Sequence, residues 1–272
     1  MRYLPLGQQS LPELGVFLIL AGAAAALLAV PAALVQRDPK VVLAYSSIAK
    51  MGTMIAGLGV AVTELALAPA MIAALVFYAA HHGLAKGALF LGVGVVKGTS
   101  GRWPLLVLGV FALVLVGAPL TSGALAKVLL KQALLESPSD WAALLTWILP
   151  VTATGTALVM ARYLYLMNRM TGSDPIAGAA SSLPWLGLAA ASLGLPLVYR
   201  AVSYDLSAAW PILVALVVAA GVVWRRPSPV TRWVGVVPPG DILEPLARIF
   251  RSGHNWWNDR GMRDYLQPVS QK

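Results

Sequence analysis

Apolar runs of about twenty residues or more recur along this chain between short polar breaks, and runs of that length admit few folds. A helix of about 18–20 apolar residues reaches across the hydrocarbon core of a bilayer, where every backbone polar group must be satisfied within the segment. A membrane barrel would instead show ten-residue stretches of alternating polarity, which the sequence lacks. Composition agrees: 58% of the 272 residues are hydrophobic and 11% charged, and mean hydropathy is +0.76. These values do not describe a soluble domain. The expected fold class is all-α, a polytopic transmembrane helical bundle. The absence of cysteine excludes disulfides, thiolate-held iron–sulfur clusters and cysteine zinc sites, so no cofactor is expected in this chain.

Hydropathy predicts about seven spans, near 11–35, 41–62, 69–96, 104–130, 141–167, 183–199 and 208–224. The first lacks a basic leader and runs too long for a cleavable signal peptide. Loop charge predicts the orientation. Arg37, Lys40, Lys97, Arg102, Arg162, Arg169, Arg225, Arg226 and Arg232 fall on one side, against Arg2, Lys131 and Arg200 on the other. The positive-inside rule then puts the N-terminus outside and the C-terminus inside. The net charge of +9 is accounted for by these helix-end and tail residues, so no nucleic-acid partner is expected.

The domain organisation is then a transmembrane domain over 1–224 and a cytoplasmic tail over 225–272. In the tail Ile242, Leu243, Leu246, Ile249 and Phe250 recur at helical spacing, with Arg248 and Arg251 interleaved and Trp256 and Trp257 next in the chain. This pattern suits an amphipathic helix at the membrane interface or one docked on a neighbouring subunit.

Within the third span the segment Phe77–Phe90 (FYAAHHGLAKGALF) carries an unusual polar load. A lysine near the bilayer centre costs about 2.5–3.5 kcal/mol on insertion scales, and such residues mark ion or proton routes. Tyr78, His82 and Lys86 are spaced i, i+4, i+8 and form a column on one helix face, rising about 6 Å per step. Histidine titrates near neutral pH, and the charge of a lysine responds to its surroundings, so the column suits proton exchange. His81 lies about 100° round the helix. The competing structural reading is that these groups satisfy one another at a helix contact.

The fourth span contains Gly117-Ala118-Pro119-Leu120-Thr121-Ser122-Gly123, and then Lys127. Proline removes a backbone donor and the glycines relax the chain, which predicts a broken helix. A break at that depth is tolerated where it is buried in protein or lines a cavity, so Pro119, Thr121, Ser122 and Gly123 are expected to line a route to the outer face. Lys127 stands either on that route or at the interface. Lys50 in the second span either passes protons or extends back to the headgroups.

Three motifs now stand in order: Asp38-Pro39-Lys40-Val41-Val42-Leu43-Ala44-Tyr45-Ser46-Ser47-Ile48-Ala49-Lys50-Met51-Gly52, then His82-Gly83-Leu84-Ala85-Lys86-Gly87-Ala88-Leu89-Phe90, then Gly117-Ala118-Pro119 through Lys127. Together they resemble the antiporter-like subunits of respiratory complex I, and the related subunits of multisubunit Na⁺/H⁺ antiporters and membrane-bound hydrogenases. The clear likeness covers residues 30–135. It implies that Lys86 is the central lysine of a half-channel, His82 its neighbour, and Lys127 the residue of the broken helix that serves the outer exit. It also implies that residues 11–167 form the second of two inverted five-helix repeats. Tyr78 stands where the family often has a further histidine, and Lys50 where histidine or glutamine is common.

The resemblance implies a proton-translocating membrane subunit of a redox-driven complex, without redox chemistry or cofactor of its own. No counterpart of the family's first repeat is found, so half of a split subunit is expected. Its expected partners are membrane lipid, a membrane subunit carrying the other repeat, and peripheral redox subunits. The expected location is the energy-transducing membrane, in prokaryotes the cytoplasmic membrane. Two alternatives stand beside this: a subunit of a gradient-driven Na⁺/H⁺ antiporter, and a membrane scaffold without transport.

Overall fold

Proline opens four of the helices, where its missing N–H is one that the first turn leaves unpaired in any case. The computed structural model describes residues 9–173, 182–198 and 210–225, and every regular element among them is helical. Helix α1 is Pro12–Leu34, α2 Pro39–Thr63, α3 Ala68–Gly98 and α4 Trp103–Val116. Pro12 and Pro39 are first residues, and Pro69 and Pro104 second. Helix α5 is Ser122–Leu135, α6 Asp140–Asn168, α7 Ser182–Gly194 and α8 Trp210–Arg225. Asp38 caps α2 by accepting from the Lys40 N–H at 2.7 Å, and Ser139 caps α6 through the Trp141 N–H at 3.2 Å.

Helices α1 and α2 pack backbone against backbone. A Cβ placed on Gly22 or on Gly52 would lie 2.5 Å from the carbonyl oxygen of the other, and one on Gly59 would lie 2.6 Å from that of Gly15. Small residues at such spacing let two membrane helices approach closely, where dispersion replaces the missing hydrophobic drive. The pair is closed at one end by the Leu11 N–H on the Val62 carbonyl (3.1 Å) and the Ser10 hydroxyl on the Thr63 carbonyl (2.7 Å).

The loops gather at two ends. At one, Arg162 donates to the Gln36 carbonyl (2.8 and 3.3 Å), Arg102 to the Asn168 side chain (2.9 Å), and the Gly172 N–H to the Val96 carbonyl (3.2 Å). At the other, Ser137 donates to Glu64 at 2.6 Å.

The buried apolar residues form two clusters. One holds Val42 and Leu43 of α2, Ala85–Val96 of α3, most of α4, and Tyr163 of α6. The other holds Met54–Ala61 of α2, Ala68–Tyr78 of α3, and Leu125–Leu134 of α5. In sequence, Ser46, Lys50 and Thr53 of α2, His81 and His82 of α3, and Thr121 and Ser122 at the break fall between the two clusters, while Lys86 and Lys127 stand at the edge of one cluster each. A polar layer is thus held between two apolar ones.

Four helices, α1, α2, α3 and α6, are long and apolar enough to cross a membrane. The span expected at 104–130 is divided into α4 and α5, 14 residues each. The span expected at 183–199 stops as a helix at Gly194, and Leu195–Val198 forms a 3₁₀ turn. Pro196 explains the stop, because it has no N–H to donate and disfavours helical backbone at the residue before it. At about 1.5 Å per residue, the 13 residues of α7 reach about 20 Å, short of the roughly 30 Å hydrocarbon core. The amphipathic helix expected near 242–250 lies outside the described residues.

Candidate functional site: a buried lysine and histidine layer

Lys86 sits on α3 in a wall of alanine and leucine, and is 5% exposed. Its Nζ donates to the Leu43 carbonyl of α2 at 2.7 Å. The same oxygen accepts from the Ser47 hydroxyl at 3.1 Å. One turn back along α3, His82 is 2% exposed, and both of its ring nitrogens are buried with no hydrogen-bond partner among the described residues. Buried polar atoms are seldom left so. An imidazole with two unengaged nitrogens is poised to take a proton on one and release it from the other.

His81, turned away from the column, faces α5. Its Nδ1 lies 2.9 Å from the Ser122 hydroxyl, and its ring meets that of Tyr78 edge to face, with centroids 6.1 Å apart. Tyr78 therefore touches the second histidine as well as standing in line with the first.

Lys50 is 2% exposed, buried within the helices rather than extended to the surface. Helical periodicity alone leaves its placement open, since the rotation of α2 against α3 is a tertiary fact.

The broken helix supplies the far side of the layer. Helix α4 ends at Val116 because Gly117 turns left-handed (φ 81°), with the Gly117 and Ala118 N–H groups returning to Leu113 and Val114 carbonyls. Pro119 then bars a restart, and Leu120 is a rare non-glycine residue at positive φ (65°). Thr121 caps α5 by accepting from the Ala124 N–H, while its own hydroxyl donates to the Ala118 carbonyl at 2.6 Å. Gly123 packs against the Val114 carbonyl, so the first turn of α5 lies beside the last turn of α4. Lys127 reaches back along this contact to donate to the Val116 carbonyl, one of the oxygens that the break leaves without an intrahelical donor. Its side chain points into the break rather than out to an interface.

Two polar features near the layer are not apparent from the sequence. The Tyr163 hydroxyl of α6 donates to the Leu89 carbonyl of α3 at 2.9 Å, and Ser46 and Thr53 are buried on the Lys50 side of α2. A phenol within an apolar span is the available signal for the first. Among the described residues, no group of three or more His, Asp or Glu side chains is placed to hold a metal ion.

The arrangement brings three basic amines, two imidazoles and two hydroxyls into one buried layer that touches a helix break. Such groups can exchange protons where they come within hydrogen-bond reach of one another. The family described as "NADH:quinone oxidoreductase/Mrp antiporter, TM" matches residues 1–154, which include every residue of the layer. Among curated proteins, the chain is similar to hydrogenase-4 component B of Escherichia coli (strain K12), 35% identical over 87 residues. That stretch is 30% of this chain and 13% of the relative, so only a small part of that relative's length is matched. The chain belongs to the NADH:quinone oxidoreductase/Mrp antiporter family of membrane subunits.

Proposed function

We propose that this subunit translocates protons across an energy-transducing membrane as part of a redox-driven complex. The observation that carries the proposal is the burial of Lys50 and Lys86 within the family-matched residues, with Lys86 held by the Leu43 carbonyl beside His82 and Lys127 by the Val116 carbonyl at the break. A proton arriving at Lys86 or His82 passes through the field of Lys50 to His81 and Ser122, and Lys127 hands it to the exit at the break. A second basic site nearby raises the cost of holding two charges at once, so occupancy of one site drives release from the next.

The same reading assigns residues 11–167 to one five-helix repeat, with α4 and α5 together as its fourth span. It takes α7 together with the 3₁₀ turn that continues it, and α8, as two further crossings, the N-terminus outside and the C-terminus in the prokaryotic cytoplasm. Other membrane subunits and peripheral redox subunits would complete the complex. The redox drive is favoured by the name of the similar protein, a hydrogenase component. The family description also covers antiporters, which supports a second reading: exchange of Na⁺ for H⁺ driven by gradients alone.

The test is proton movement in native membrane vesicles carrying either the unaltered chain or Lys50→Met. Electron donors are supplied in one arm and an imposed Na⁺ gradient in the other. Donor-driven movement that is lost in the variant supports the proposal. Movement driven only by Na⁺ favours the second reading. Movement unchanged by the substitution under both drives contradicts a proton route through this layer.

A further inference from the structure

A second feature lies on the opposite side of α6. Between α1, α6 and α8 is an open apolar crevice of about 360 Å³, walled by Leu27 and Val30, by Val151, Thr154 and Leu158, and by Trp210. The Thr154 hydroxyl is turned to its own helix, donating to the Pro150 carbonyl at 3.0 Å, so the walls offer little to water. An apolar space of this kind stays dry or takes an apolar guest.

The remainder of α6 identifies the guest. Val151, Leu158, Arg162, Tyr165 and Arg169 are spaced 7, 4, 3 and 4 residues apart, which keeps them on one face of the helix. The face therefore changes from apolar to strongly basic as it approaches the helix end. There Arg162 and Arg169 lie over the Tyr165 ring, their guanidinium carbons 5.7 and 5.5 Å from its centroid. Two guanidinium groups thus share the face of one ring. Like charges gathered at a membrane helix end are stabilised by an anion. Tyr165 is 52% exposed, so an anion can approach. Toward the other end of the same face, Trp147 is 79% exposed, as in the aromatic belts that flank a bilayer.

We propose that this face binds an anionic phospholipid, with one acyl chain in the crevice and the phosphate held by Arg162 and Arg169. Arg162 spends its Nε and one Nη on the Gln36 carbonyl, and a guanidinium has five N–H donors in all. The lipid would thus brace the α1–α2 connection against α6. This site involves none of the residues of the proton layer and stands whether or not that layer conducts.

The test uses the purified full chain in phosphatidylcholine vesicles containing a small fraction of spin-labelled lipid. The reading is the motionally restricted fraction for labelled phosphatidylglycerol against labelled phosphatidylcholine. The unaltered chain is expected to favour phosphatidylglycerol by more than about fivefold, the preference that a single arginine near the surface confers, since two are present. Arg169→Gln, at an exposed position, is expected to reduce the preference, and Arg162→Gln with Arg169→Gln to abolish it. Leu158→Trp, which fills the crevice and keeps the arginines, is expected to lower the restricted fraction of both lipids. Equal restriction of the two lipids by the unaltered chain would overturn the proposal, as would a preference insensitive to Arg169→Gln. Loss of the preference on adding inorganic phosphate at matched ionic strength would show a free-anion site instead. A restricted fraction unmoved by Leu158→Trp would show that the crevice holds no chain.

Discussion

The ammonium of Lys86 is held by the carbonyl of Leu43, 2.7 Å away on the neighbouring helix. A carboxylate in that place would fix the charge, whereas a carbonyl can accept from –NH₃⁺ or from –NH₂ and favours the charged form far less than a full negative charge would. The bond therefore positions the amine while leaving it able to release its proton. Lys127 has the same kind of partner in the Val116 carbonyl. Lys86→Arg tests this reasoning, because a guanidinium can keep the bond but does not release its proton. Proton movement is expected to fall by on the order of a hundredfold, the scale of lost acid–base participation, with assembly on a native gel unchanged.

Gly117→Ala strains the break twice. The added Cβ meets a backbone at φ 81° and lies 2.8 Å from Nζ of Lys127. A destabilisation of about 1–3 kcal/mol is expected, read as a lower unfolding temperature in detergent. Lys127→Ala in the same chain removes the clash and leaves the backbone strain. The double variant is then expected to lose less than the sum of the two single ones, as neighbours in contact do.

Ser122→Ala removes the hydroxyl that holds Nδ1 of His81. The expected stability cost is about 0.5–1.5 kcal/mol. Proton movement is expected to slow and its pH profile to shift, because the freed ring can adopt either tautomer. An unchanged profile would show that the contact is structural only.

Gly22→Val drives a side chain into the backbone of α2, and α1 has no space to retreat without losing the whole seam. Overpacking of about 1–3 kcal/mol or more is expected, seen as a lower yield of folded protein. Gly109→Ala is the control. A Cβ there meets nothing within 4 Å, and a change within about 0.5 kcal/mol is expected.

Much of this site is legible in the sequence because its elements are local. Proline and glycine at 117–119 announce the break, the i, i+4 spacing puts His82 and Lys86 on one face, and prolines mark the helix starts. The partners are not legible. The Leu43 and Val116 carbonyls are backbone atoms, which no side-chain pattern distinguishes. His81 and Lys50 enter the layer through the rotation of whole helices against one another. Tyr163 reads as one more residue of an apolar span. The change from α7 to a 3₁₀ turn is not legible either, because hydropathy sums over Gly194 to Pro196 without regard to the backbone.

The most direct test is donor-driven proton movement with Lys86→Met, measured together with electron transfer in the same vesicles. Methionine keeps the length and apolar packing of the side chain, but it carries no proton and cannot reach Leu43 with a donor. Proton movement abolished or sharply reduced, with the complex assembled, is the expected result. Unchanged proton movement per electron in that variant would contradict a route through Lys86.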